Sequence, residues 1–292
     1  MAYPAENYPP KASFNPYASP EASIRPIPEF AGRASSIQFS VGNVLSRAWE
    51  VYQERMGFCI GVMLLGFAIT FAAFMFISVG PALVGAIIPE PMVVGAVSFF
   101  FFAAYMLFAL WVGIGQSFAY LKVAQGRPAT IADLFAGARF LPKVMFAVIV
   151  LGFLAGGILL LGAFPGTIAS AALGRDSTAA IVVLMLGILI AYLFLLVYWI
   201  AVSQFMNVLL DQPSIGTIES IKQSISITKG RRVGIAALFL IAGLVNLAGA
   251  MLLGIGLIFS TPLSFLILAV TYTALISPSA GSPAKPFTDD LL

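Results

Sequence analysis

Apolar residues fill long stretches of this chain without the alternation that marks a half-buried helix or strand. Five intervals carry no charged residue: Met56–Pro89, Pro91–Leu121, Val144–Gly174, Ser177–Leu210 and Val233–Ala284. A charged side chain at the bilayer centre costs roughly 2.5–3.5 kcal/mol on the insertion scale, so uncharged intervals mark candidate spans. About 20 apolar residues, each rising about 1.5 Å, cross the hydrocarbon core. The first four intervals each hold one span. The fifth is interrupted by Gly254-Ile-Gly-Leu-Ile-Phe-Ser-Thr-Pro262, whose glycine and Thr-Pro chemistry predicts a tight hairpin joining two spans. The expected spans are 57–79, 94–121, 144–169, 179–209, 233–255 and 259–277. Strands of a membrane barrel would alternate in polarity every second residue. These runs are apolar on every face, so the predicted fold class is all-α, a polytopic bundle of six transmembrane helices.

A second pattern recurs between the spans. Ser40, Thr130 and Ser214 each precede an apolar residue (Val41, Ile131, Ile215). Val44, Leu134 and Ile218 follow three residues further on, and Val51, Leu141 and Ile225 seven beyond those. Spacings of three, four and seven keep to one helix face. They predict three short amphipathic helices at the membrane interface, with Ser40, Thr130 and Ser214 as N-caps and Asp133 completing a capping box with Thr130. Each unit then reads as an interfacial helix, a basic anchor and a hairpin of two spans, over approximately 40–129, 130–213 and 214–277. Pro81, Pro165 and Pro262 are expected in the three turns opposite the basic anchors.

The membrane domain is accordingly placed at 37–277, between two tails of different character. Residues 1–36 are rich in proline, with Tyr3, Tyr8 and Tyr17 interspersed, and cannot bury a core. The expectation is a disordered tether, with docking of a partner protein in extended conformation as the functional alternative. Residues 278–292 read as a second short tail. The first long apolar run begins near Gly57, too late for a cleaved leader, so insertion is expected to use an internal span.

Composition sharpens this picture. Of the 292 residues, 60% are hydrophobic and 9% charged, where a soluble domain carries about 25% charged. The 15 Lys and Arg residues are sorted by position. Lys11, Arg25, Arg33, Arg47 and Arg55 precede the first span; Lys122, Arg127, Arg139 and Lys143 follow the second; Lys222, Lys229, Arg231 and Arg232 follow the fourth; Lys285 lies in the tail. The other connections hold only Arg175. The positive-inside rule then places both termini in the cytoplasm. Histidine is absent and Cys59 is the single cysteine, which removes the commonest metal ligand and any internal disulfide.

Candidate chemistry is sparse. Arg47, Arg55, Lys143, Lys229, Arg231 and Arg232 are candidate lipid-headgroup contacts, each worth about 1 kcal/mol near an anionic surface, although plain anchorage is the preferred reading of such residues. Gln116, Ser203, Gln204, Asn207 and Asn246 form a candidate intramembrane polar cluster, either bridging helices or lining a path. Ser226-Ile-Thr-Lys229 matches a Ser-x-x-Lys acylation motif but lacks its companion motifs, and a capped helix end is the preferred reading. Glu50 and Glu54, flanked by Arg47 and Arg55, read as a self-paired surface rather than an acid/base pair. Gly57/Gly61, Gly152/Gly156 and Gly162/Gly166 permit close helix approach. The expected spans contain no ionisable Asp, Glu, Lys or Arg, as ion-coupled carriers need. Nucleotide-binding and zinc-binding motifs are also absent. No catalytic residue, cofactor, metal or nucleic-acid partner is therefore expected.

The segment Leu210–Arg232 contains Ile221-Lys-Gln-Ser224-Ile-Ser-Ile-Thr-Lys229-Gly-Arg231, followed by a span, a glycine-rich turn and Pro262. It resembles a segment of bacterial multi-spanning membrane families loosely grouped with the membrane domain attached to some glycerophosphoryl diester phosphodiesterases. The resemblance covers roughly 200–277 and, more weakly, 115–170. It implies a bacterial inner-membrane protein; no phosphodiesterase domain is attached, so no catalytic residue carries over. The resulting expectation is a non-enzymatic membrane protein that organises lipids or partners, with a facilitator or transporter subunit for a small or amphipathic solute as the alternative.

Overall fold

The computed structural model describes residues 38–277 except 89, 175, 176 and 253. The expectations for residues 1–36 and 278–292, and for Arg175, lie outside the described residues. In chain order the helices are α1 (Val41–Glu54), α2 (Met56–Ile87), α3 (Pro91–Ala124), a 3-10 helix (Ile131–Arg139), α4 (Leu141–Leu173), α5 (Thr178–Val202), α6 (Phe205–Asp211), α7 (Thr217–Thr228), α8 (Arg232–Met251) and α9 (Leu257–Ile276). Among the described residues six helices are long and apolar enough to cross a membrane, α5 and α6 counting together as one. The described residues are thus all-helical, and the chain is a multi-pass membrane protein. In hydrocarbon every backbone N–H and C=O must find an internal partner, and a helix supplies it within one segment.

The six spans form three successive hairpins: α2–α3, α4–α5/α6 and α8–α9. A short helical segment precedes each of them: α1, the 3-10 helix and α7. These segments, and the Lys and Arg residues they carry, gather at one end of the bundle, here called the basic end. The apolar core lies at this end too. Val44 and Ala48 of α1 join Ile114 and Leu121 of α3, Val144 of α4, Val208 and Leu209 of α6, Leu238 of α8 and Val270 of α9. Helix α9 is the central post, with 61% of its most apolar stretch buried against 22% or less in the other spans. Toward the far end the two long hairpins expose large side chains such as Phe76 (79%) and Phe153 (80%), as lipid-facing surfaces do.

The spans agree with expectation to within a few residues, except that α2 runs on to Ile87. Pro81, Pro165 and Pro262 are not in turns: each sits inside a helix, α2, α4 and α9 respectively. Proline forfeits one ladder hydrogen bond, but a turn at membrane depth would forfeit several, so the helix continues through it. Chain reversal occurs later, after Ile87, with Pro91 in the first turn of α3, and after Leu173. The third reversal comes earlier than expected, before Leu257, with Thr261 and Pro262 already helical. Thus α8 ends at Met251 and not at 255.

The caps divide similarly. Ser40 Oγ accepts from the Asn43 backbone N–H at 3.1 Å, as expected. The Asp133 carboxylate accepts from the Thr130 backbone N–H at 2.8 Å and from its hydroxyl at 3.3 Å. The segment that follows Thr130 is a 3-10 helix rather than an α-helix. Ser214 caps nothing: α7 starts at Thr217 with Gly216 as its N-cap, because Pro213 and Gly216 spend the intervening residues on a turn.

One crossing fixes the 3-10 helix on α3. Gly115 lies against the Leu134 carbonyl and Gly137 against the Trp111 carbonyl, so two backbones touch with no side chain between them. Trp111 Nε1 donates to the Phe135 carbonyl at 3.2 Å across the same junction. Of the glycine pairs singled out from sequence, Gly162/Gly166 packs α4 onto Gly187 and Leu184 of α5. Gly57/Gly61 and Gly152/Gly156 face open space within this chain.

Candidate functional site

At the basic end, side chains of one type meet different fates. Arg47 on α1 is only 8% exposed, and its Nη1 donates to Glu50 Oε2 at 2.8 Å. Its expected role as a headgroup contact is therefore corrected: the spacing that aligns Val44, Ala48 and Val51 turns Arg47 inward with them. Lys143 at the start of α4 is also drawn into the protein. Its Nζ donates to the carbonyls of Pro213 at 2.7 Å and Ile215 at 2.9 Å, tying down the connection before α7. Replacing Lys143 by methionine should loosen residues 212–216 and cost about 1–2 kcal/mol, since the two charge-assisted bonds are partly exposed. Hydrogen exchange over that connection, compared with wild type, measures it.

Arg55 is half-buried and Lys229 is exposed. Arg231 lies over the Phe39 ring, 5.4 Å from its centroid. Arg232, half-buried, begins α8, and its buried Nε has no hydrogen-bond partner. Ser226 and Lys229 are both exposed at the end of α7, which Gly230 closes with φ +78°. That geometry fits a capped helix end. Glu50 pairs with the buried Arg47, and Glu54 is exposed.

Lys122 Nζ lies 2.6 Å from Asp133 Oδ1. Burial pushes the Asp133 carboxyl up, but the hydrogen bonds from Lys122 and Thr130 outweigh it and hold the group below its ordinary value. A carboxyl lowered on folding stabilises above its unfolded value, and that contribution is lost as pH falls through the folded one. Acidification below about pH 4 should therefore loosen the 3-10 helix. Emission of Trp111, taken as the difference from Trp111→Phe, reports the loosening, and Asp133→Asn should remove its acid dependence.

The five polar residues do not form one cluster. Gln116 Nε2 donates to the Val62 carbonyl at 3.4 Å, within the first hairpin. Ser203, Gln204 and Asn207 lie together at the break between α5 and α6. Asn207 Nδ2 donates to Gln204 Oε1 at 2.8 Å, and Gln204 is fully buried. Asn246 lies on α8 with a buried Oδ1 that lacks a partner. Sequence reasoning missed the residues that make the break tolerable. The Gln204 backbone N–H leaves its helix ladder and donates to Ser224 Oγ at 3.2 Å. Ser224 Oγ in turn lies 3.0 Å from the Ala201 carbonyl, and Thr228 Oγ1 lies 3.1 Å from it. Hydroxyls on α7 thus replace the bonds that α5 gives up. Ser220, Ser224 and Thr228 recur every four residues, a signal present in the sequence beside the apolar stripe.

A second missed group is Asp211, at the end of α6. Its Oδ1 accepts from Gln125 Nε2 at 2.8 Å and its Oδ2 from Tyr272 Oη at 3.0 Å. Arg127 Nη2 lies 3.5 Å from Oδ1. One carboxylate therefore clasps the end of α3, the end of α6 and the central post α9. Among the described residues no group of three or more Cys, Asp or Glu side chains is placed to hold a metal ion. Comparison of the chain with protein-family models, with curated proteins and with solved structures finds no match.

Proposed function

We propose that this chain is a non-enzymatic protein of the bacterial cytoplasmic membrane, with both termini in the cytoplasm, that contacts and organises anionic lipids. The observation that carries this reading is the sorting of Lys122, Arg127, Arg139, Lys222, Lys229, Arg231 and Arg232 to the connections that follow the second and fourth spans, while the spans are otherwise uncharged. Cationic juxtamembrane residues face the cytoplasm by the positive-inside rule and attract anionic headgroups. On this reading α1, the 3-10 helix and α7 are three interfacial elements, the start of a threefold repeat. The resemblance of Leu210–Arg232 to bacterial multi-spanning families supports the same location.

The alternative, a facilitator for a small solute, draws on Gln204, Asn207 and Asn246. Gln204 and Asn207 bond to each other, and Gln204 is closed off from any solute path, so the lipid reading is preferred. The test is lipid retention by the purified full chain. Phosphatidylglycerol should be held in preference to phosphatidylcholine at low salt, and the preference should shrink as salt is raised. Equal retention of the two lipids at low salt would remove the reading.

A further inference from the structure

A groove of about 590 Å³ runs along the α4–α5 hairpin. Ile158, Leu161, Ile190, Phe194 and Val197 line it, and Ile225 of α7 and Arg232 of α8 stand at the basic end. From Ile190 to Ala201 the groove follows α5 for about 16 Å at the helical rise. One leaflet of hydrocarbon is about 15 Å thick, half of the core. The length of the groove therefore matches one leaflet, with Arg232 at its basic end.

Its polar end is unusual. Among the described residues no carboxylate pairs with Arg232, and its buried Nε lacks a hydrogen-bond partner. Arg232 is the first residue of α8 and Arg231 its N-cap, with no acidic side chain in the first turn and no side chain capping the helix. Two cations thus sit at the positive end of a helix dipole whose first N–H groups are unsatisfied. An anion placed there meets a guanidinium, free N–H donors and the dipole together.

We infer that this groove is a binding site for one anionic phospholipid, with an acyl chain along α4–α5 and the phosphate on the Arg232 guanidinium. The inference rests on the lipid-contacting reading above and names its ligand and place. A zwitterionic lipid offers the same chain and phosphate, but its ammonium group would lie among the cations of this end. Charge thus selects the anionic lipid, and the length of the groove selects a single chain in one leaflet.

The experiment is native mass spectrometry of the full chain in detergent, titrated with phosphatidylglycerol or phosphatidylcholine. Wild type should retain one phosphatidylglycerol about fivefold more strongly than phosphatidylcholine, a ratio equivalent to about 1 kcal/mol for one cationic contact. Arg232→Gln should abolish the ratio, Val197→Phe should displace the lipid by filling the groove, and Met92→Leu, exposed at the far end of α3, should change neither. If the preference persists in both Arg232→Gln and Val197→Phe, anionic lipid binds elsewhere: the site is overturned while the general reading stands. If wild type shows no preference, groove and general reading fall together, and the groove holds only annular lipid.

Discussion

Gly115→Ala is expected to destabilise the protein by about 3 kcal/mol or more, although it adds a single methyl group to an apolar span. The new Cβ would meet the Leu134 carbonyl, a backbone group with no rotamer in which to move away. Relief requires lifting the 3-10 helix off α3. That movement breaks the Trp111–Phe135 hydrogen bond and opens the contact of Gly137 with the Trp111 carbonyl. Gly113 on the same helix is the control, because nothing lies within 4 Å of the position its Cβ would take. Gly113→Ala should be neutral, or stabilising by up to about 1 kcal/mol through helix propensity. Thermal unfolding of both variants in one detergent measures the difference. Equal midpoints would mean that the two backbones do not touch.

Asp211→Ala should cost about 2–4 kcal/mol. Its carboxylate is the acceptor for Tyr272 Oη, on a side chain with no solvent exposure, and for the Gln125 amide. Removing it leaves a phenol hydroxyl and an amide inside the protein without partners. The contribution of Arg127 is small by comparison, because its side chain is 57% exposed and the pair is screened. Asp211→Asn keeps one acceptor oxygen and should lose distinctly less. Tyr272→Phe combined with Asp211→Ala should cost less than the two single losses added, because each removes the other's partner. Additive losses would show that the two groups do not interact.

How far such features could be read from the sequence follows from their physical origin. The six spans and the order of hairpins were legible because they depend on composition over some 20 residues, and a run apolar on every face can satisfy its backbone in lipid only as a helix. The end of α2 was not, because Gly80-Pro81 reads as a turn in water, whereas in hydrocarbon the helix keeps its remaining bonds by passing through the proline. Thr130 and Asp133 were legible as a local device whose partners lie three residues apart. Arg47 and Lys143 were not: a juxtamembrane cation has the same sequence signature whether it faces headgroups, a carboxylate or a pair of carbonyls. The clasp on Asp211 joins residues 61 and 86 positions away, which no local pattern announces. Gly115 and Gly137 were lost among 27 glycines, since only the approach of a second backbone distinguishes them.

The central claim is that uncharged helices cross the bilayer and that their cationic end faces the cytoplasm. Cysteine labelling with a membrane-impermeant maleimide tests it most directly, and fully buried Cys59 provides a quiet background. In intact cells Glu90→Cys, at the turn between α2 and α3, should react, while Lys229→Cys should react only after permeabilisation. Labelling of Lys229→Cys from outside, or protection of Glu90→Cys, would contradict the account.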